Sequence, residues 1–172
     1  AVEKGFDAFK MIPTFYRIDS DEAMAVIEKI ASVGKPVMFH SGICFDGENS
    51  SPHLRPCEFE ALIKMQNLKF CLAHISWPWT DECIAVFGKF RAAHREKPNI
   101  SCEMFVDVTP GTPVVYRDDV FHRMLFSNNM RDNLMFGTDC SIDGRGVTEG
   151  YDYKIAKERM DFDDSLYEKY VN

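Results

Sequence analysis

Three short apolar runs in this chain each end in a residue type that binds metals or transfers protons. Residues 36–39 lead into His40, residues 70–73 into His74, and residues 134–138 into Asp139. Each run has the length of a strand and is followed by a loop and a helix-like segment. In parallel α/β sheets and barrels, reactive side chains gather at the carboxyl ends of the strands. The shared position predicts one active site.

The residue types suggest a metal-assisted reaction. His40 and Asp139 would supply nitrogen and oxygen donors to a divalent metal, which could turn a bound water into a nucleophile at neutral pH. His74 would act as general acid or base, because the unperturbed pKa of histidine is about 6.5, and Asp139 is expected to be catalytic beside it. Each residue alone has an ordinary alternative, either a hydrogen-bonded histidine at a strand end or an aspartate that caps a loop. Their common position favours the active site.

Four further residues are candidate substrate contacts. Lys10, between two apolar residues of the first strand, could form a Schiff base, bridge metals or clamp an anion, or could extend from a sheet edge into solvent. His53 and Arg55 lie in the long polar loop 41–55 and could hold a substrate carboxylate, which Arg55 could grip with two hydrogen bonds, or could belong to an ordinary solvated loop. Trp79 could wall an apolar pocket or pack against the following helix.

Hydrophobic periodicity predicts the elements that position these residues. Asp19, with Glu22 three residues later, is expected to cap the first helix, whose buried side should include Val26. Pro56 and Asp118 mark the starts of two further helices, and Thr80 is expected to cap another. The predicted strands are residues 6–12, 36–39, 68–73, 100–106 and 134–138. Glu103 and Asp107 of the fourth strand could face the site or pack outward, and His94 and His122 are expected at the surface of helices.

Strands and helices alternate without a linker or a repeat, so residues 1–172 are expected to form a single α/β domain with a parallel sheet. Five strands could form an open doubly wound sheet or part of an eight-stranded TIM-type barrel, whose usual length of about 250 residues exceeds this chain. No glycine-rich nucleotide-binding motif is present, which weakens the open-sheet alternative.

Composition restricts the partners. The 172 residues carry a formal net charge of -7 and show no basic cluster, which disfavours nucleic acid and anionic membrane surfaces. No apolar stretch approaches the roughly 20 residues of a membrane span. The six cysteines form no Cys-x-x-Cys pair, and several lie in apolar runs. Reduced cysteines in a cytoplasmic protein are therefore expected. The partner is expected to be a small-molecule substrate.

Four motifs together resemble the amidohydrolase superfamily. They are Phe9-Lys10-Met11-Ile12-Pro13, Pro36-Val37-Met38-Phe39-His40-Ser41-Gly42, Leu68-Lys69-Phe70-Cys71-Leu72-Ala73-His74 with Pro78-Trp79, and Phe136-Gly137-Thr138-Asp139. Their order is similar to that of the amidohydrolase-2 branch, which includes aminocarboxymuconate-semialdehyde decarboxylase. The resemblance covers about residues 5–139.

The resemblance implies a (β/α)8 barrel with a divalent metal, usually zinc, at its carboxyl end. By motif position, His40 is the metal-binding histidine of strand five, Asp139 the aspartate of strand eight, and His74 the strand-six histidine that acts on substrate or bound water. Lys10 matches a strand-four lysine whose role varies. The His-x-His motif of strand one is absent from this chain, which is therefore expected to be a partial barrel of about strands 4 to 8.

The leading hypothesis is a metal-dependent hydrolase or non-oxidative decarboxylase that acts on a small carboxylic acid or lactone. Two alternatives stay open, namely a Schiff-base lyase built on Lys10 and a non-catalytic barrel that lacks the first-strand ligands. Exposed sheet edges in a partial barrel would favour a homo-oligomer.

Overall fold

The structure, a computed structural model, describes residues 2–97, 99–108, 112 and 114–135 of the chain. Within them five strands form one sheet in which every neighbouring pair is parallel. The strands are β1 (Phe9–Met11), β2 (Val37–Phe39), β3 (Lys69–Leu72), β4 (Glu103–Asp107) and β5 (Leu134–Met135).

The spatial order of the strands is the same as their order in the chain, β1-β2-β3-β4-β5. In a doubly wound sheet the order in which strands are added reverses at a switch point, whereas in a (β/α) barrel each strand lies beside the preceding one. The sequential order therefore confirms the barrel-type prediction and excludes the open doubly wound alternative for the described strands. Five strands with alternating helices correspond to part of a barrel.

The helices that connect the strands are α1 (Asp21–Ser32), α2 (Thr80–Glu96) and α3 (Val114–Phe126). The connection between β2 and β3 carries the 3-10 helix Pro56–Lys64, with Pro56 in its first turn as predicted. The start of α3 was predicted at Asp118 and lies four residues earlier. In the described part of the chain no helix is long and apolar enough to cross a membrane.

Two predicted helix caps are wrong. Ser20, not Asp19, caps α1: its hydroxyl accepts a hydrogen bond from the Ala23 amide at 3.3 Å, while the Asp19 carboxylate pairs with Arg17. Ser20 has the extended backbone that a capping residue requires. Trp79 occupies the cap position of α2, and Thr80 is its first helical residue.

The core lies between the helices and one face of the sheet. Phe39 of β2 contacts Phe59 and Phe70, with ring centroids 5.1 and 6.1 Å apart, and Phe70 meets Phe90 of α2 at 5.2 Å. All four rings are almost fully buried. Val26 of α1, expected in this core, is 50% exposed, because it lies beside rather than within the buried stripe that contains Ile27.

Side chains alternate between the two faces of a strand, so the residues between the core positions define a second face. We call it the inner face. The register aligns Lys10, Met38, Cys71 and Phe105 across β1 to β4 on this face. A cavity of about 320 Å³ lies against it, lined by apolar side chains that include Met38, Cys71, Phe105 and Met135.

The first four strands are shorter than predicted. In β1 the ladder begins only where the Phe9 amide bonds to the Pro36 carbonyl, so residues 6–8 remain outside it. β4 begins at Glu103 instead of residue 100, because its register is set by Lys69 of β3. Of the predicted last strand, Leu134 and Met135 are described, and residues 136–138 lie outside the described residues.

Candidate active site at the carboxyl ends of the strands

His40 and His74 lie side by side just beyond the carboxyl ends of two paired strands. The His40 amide donates to the Met11 carbonyl at 2.9 Å, which extends the ladder between β1 and β2 by one bond. His74 lies two residues beyond the end of β3 and is buried. The two imidazole rings meet edge to face, with centroids 4.9 Å apart and planes inclined at 61°. Two of the three predicted site residues are thus brought together.

The backbone at His74 is unusual. His74, Ile75 and Ser76 have φ values of 60°, 54° and 54°, so three successive residues other than glycine adopt the left-handed conformation. Each such residue costs about 1–2 kcal/mol, and the β-branched Ile75 is especially unsuited to it. Strain of this kind persists only where the surroundings determine the conformation. We call residues 74–76 the left-handed turn.

Asp107, at the end of β4, is bound to this turn. Its Oδ1 accepts a hydrogen bond from the His74 backbone amide at 2.7 Å, and the residue is 1% exposed. The Thr112 hydroxyl donates to the His74 carbonyl at 3.4 Å, and the Trp77 amide donates to the same carbonyl at 3.0 Å. The sequence left the direction of Asp107 open. Its place at a strand end, the same signal that identified His40, could have assigned it to the site.

The loops after β2 and β3 are joined to each other. The Ile43 amide donates to the Trp77 carbonyl at 2.9 Å, and the buried hydroxyls of Ser41 and Ser76 are 2.7 Å apart. Gly42 has a φ of +95°, and a Cβ there would overlap the Trp77 carbonyl oxygen. Such close contact requires glycine. The loops that carry the two histidines therefore form one packed unit.

Arg55 lies at the rim of this unit and is held by two groups. Its guanidinium binds the Glu82 carboxylate and lies over the Trp79 ring, 5.1 Å from the ring centroid. Glu82 also accepts the Cys57 amide at 2.9 Å. Burial raises the pKa of Glu82, but the hydrogen bonds from Arg55 and Cys57 outweigh it and hold the pKa below its usual value. Arg55 and Trp79, both predicted substrate contacts, thus contact each other, with Glu82 as a partner that the sequence did not suggest.

Lys10 projects from the inner face of β1, in register with Met38, and its side chain is exposed. His40 is two residues beyond Met38 and therefore follows it on the same face, nearer the carboxyl end. Cys71 shares the inner face. Burial raises the pKa of its thiol well above the usual value, and the negative charge of Asp107 raises it further. Cys71 is therefore a neutral thiol near neutral pH.

The remaining predicted residues are three histidines and one aspartate. His53 is half-buried in the short 3-10 helix Ser51–His53 of the long loop. Asp139, the predicted metal ligand and catalytic partner, lies outside the described residues. His94 and His122 are exposed on helices, as expected.

Sequence comparison identifies the family to which this chain belongs. The model of the amidohydrolase-2 family, described as amidohydrolase, matches residues 1–171. The chain belongs to the amidohydrolase family. The match extends well beyond the segment that carries the four motifs. No curated protein sequence matches the chain closely enough to be counted as a relative.

A solved structure supports the fold of this amidohydrolase chain. The crystal structure of 4-oxalomesaconate hydratase from Rhodopseudomonas palustris superposes with a TM-score of 0.50 at 16% sequence identity. The alignment covers 95% of this chain and 52% of the hydratase, so the chain spans about half the length of that structure. At this identity the likeness shows a shared fold and nothing about substrate.

The donor chemistry of the amidohydrolase site fits a divalent metal in part. Imidazole nitrogens at a strand end suit zinc and similar metals. Among the residues that the structure describes, however, no group of three or more His, Cys, Asp or Glu side chains could hold a metal ion. A complete donor set would need residues beyond those described, and Asp139 is the one that the sequence predicts.

Proposed function

We propose that this chain carries the strand-five to strand-eight side of the active site of a metal-dependent amidohydrolase, a hydrolase or non-oxidative decarboxylase acting on a small carboxylic acid or lactone. The observation that carries the proposal is the pair of His40 and His74, 4.9 Å apart at the carboxyl ends of adjacent parallel strands. Membership of the amidohydrolase family supports it.

In this proposal His40 and Asp139 hold the divalent metal, for which zinc is our candidate. The metal, when bound, supplies a Lewis acid at the mouth of the barrel. His74 gives or accepts the proton of the reacting group. Its backbone is fixed by the left-handed turn and its side chain is mostly removed from solvent, so the imidazole meets the substrate in a set orientation.

Lys10, His53, Arg55 and Trp79 are the proposed substrate contacts. Arg55 already forms an ion pair with Glu82. It can therefore bind a substrate carboxylate only by sharing its guanidinium between that carboxylate and Glu82. A guanidinium has five N–H donors, enough for two carboxylates. Lys10, on the inner face, would meet a substrate from the barrel interior.

Metal analysis tests the metal role. The full chain is loaded with Zn²⁺, dialysed and analysed for bound metal, beside His40→Ala and the matched control His94→Ala, which removes an exposed histidine on α2. We expect metal in the unmodified chain and in the control, and a loss of at least about tenfold in affinity in His40→Ala. Equal metal content in both variants would rule out His40 as a ligand.

Two assays on the loaded protein separate the reaction types. Lactone hydrolysis consumes water and releases a proton, which a pH-stat records, whereas decarboxylation releases carbon dioxide, which is trapped and counted. His74→Ala should abolish whichever activity is found while the metal remains bound.

Borohydride trapping of a keto acid on Lys10 would instead establish the Schiff-base lyase. Cytoplasmic location and a homo-oligomeric state remain expectations, and sedimentation analysis would test the latter.

A further inference from the structure

We propose that Asp107 is a positioning residue that fixes the His74 imidazole against His40 by holding the His74 backbone amide. The proposal concerns the same site as the proposed function and rests on it only for its consequence in catalysis. The geometry on which it depends is independent of any metal or substrate.

The first argument is the hydrogen bond itself. A carboxylate oxygen 2.7 Å from a backbone amide is a short, charge-assisted acceptor, roughly twice as strong as a neutral one. Asp107 is 1% exposed and lies on β4, so its carboxylate is attached to the sheet rather than to a mobile loop. It is thus a fixed point to which the His74 peptide is bound.

The second argument is the conformation that this bond holds. The His74 peptide belongs to the left-handed turn, which none of its three side chains favours. In an ordinary extended continuation of β3, successive side chains would point to opposite faces and the His74 ring would be directed differently. The left-handed backbone at His74 is therefore what brings the ring to His40, and the amide of that residue is the atom that Asp107 binds.

The third argument is the distribution of the contacts. The His74 carbonyl is bound by Trp77 and Thr112, and Ser76 is bound by Ser41, but these contacts hold the far side of the turn. Asp107 holds its first amide, the hinge between β3 and the turn. Removing it should release the hinge while the loop contacts remain.

Nuclear magnetic resonance of the full chain tests the proposal. In the unmodified protein we expect a through-hydrogen-bond coupling between the His74 amide nitrogen and the Asp107 carboxyl carbon, slow exchange of that amide, and nuclear Overhauser contacts between the two imidazole rings. Asp107→Ala should lose the ring contacts, shift the His74 amide upfield and speed its exchange. Asp107→Asn keeps an acceptor oxygen and should restore the ring contacts.

Several results would overturn the proposal. They are ring contacts that survive in a folded Asp107→Ala variant, ring contacts that are lost in a folded Asp107→Asn variant, and fast exchange of the His74 amide in the unmodified protein. If Asp107→Ala does not fold, the asparagine variant and the unmodified protein still test the proposal. These readouts do not depend on activity, so a chain without metal or turnover would remove the proposed function and leave this inference standing.

Discussion

Gly42 offers a quantitative test of the contact between the two histidine loops. At a φ of +95° an alanine would pay the left-handed backbone cost of about 1–2 kcal/mol. Its Cβ would also stand 3.1 Å from the Ser76 carbonyl carbon and the Trp77 nitrogen, and closer still to the Trp77 carbonyl oxygen. Backbone atoms cannot rotate away, so one loop must move.

The Trp77 carbonyl accepts the Ile43 amide, and moving either loop would weaken that bond, at a cost of about 0.5–1.5 kcal/mol. Gly42→Ala should therefore destabilise the protein by about 1.5–3.5 kcal/mol. Gly47 provides the matched control. It lies in the same loop with a φ of +78°, but a Cβ there would meet no atom within 4 Å. Gly47→Ala should destabilise the protein by the left-handed backbone cost alone, about 1–2 kcal/mol.

Urea unfolding of the two variants, followed by circular dichroism, measures the difference. We expect Gly42→Ala to be less stable than Gly47→Ala by roughly 1 kcal/mol, which at the usual slope of about 1–3 kcal/mol per molar urea lowers the midpoint further by roughly 0.5 M. Equal losses in the two variants would refute the reasoning, because they would show that the Trp77 contact adds nothing to the backbone cost.

Three further predictions concern other parts of the fold. Arg55→Met should destabilise the protein slightly near neutral pH, because it removes the ion pair with Glu82. Because the folded pKa of Glu82 is lowered, this loss of stability should be full above pH 4.5 and vanish as the pH falls through the folded pKa, which urea unfolding at several pH values checks. Ser20→Ala should cost about 1 kcal/mol and Asp19→Ala much less, and equal values in urea unfolding would reinstate Asp19 as the cap. Phe59→Ala should cost about 3–5 kcal/mol in the same assay, and a loss below 1 kcal/mol would contradict its full burial.

Much of the framework could be read from the chain because it depends on local patterns. Apolar runs of strand length, each followed by a helix signal, predict a parallel sheet, and residues that end those runs must meet at one edge. His40 and His74 meet there as expected. The strand boundaries were predicted less accurately, because pairing with the neighbouring strand, and not the run of apolar residues, decides where β1 and β4 begin.

The parts of the site that the sequence did not reveal depend on long-range contacts. Glu82 reaches Arg55 across 27 residues, and Asp107 reaches His74 across 33. The left-handed turn contradicts local preference, since Ile75 has one of the side chains least suited to positive φ. No local rule can predict a conformation that is imposed by a group on β4 and a group in the loop after β2.

The strand ends that local patterns predict and the long-range contacts that they do not predict are physically connected. The left-handed turn costs several kcal/mol by itself at about 1–2 kcal/mol per residue, so it exists only while the bonds from Asp107, Ser41 and the Trp77 segment outweigh that cost. The histidine pair therefore depends on both loops and on β4 together. A change at Gly42 that displaces the Trp77 segment should reach His74 through the turn. The strand ends bring the two histidines to the same edge, and these contacts determine how the two rings meet.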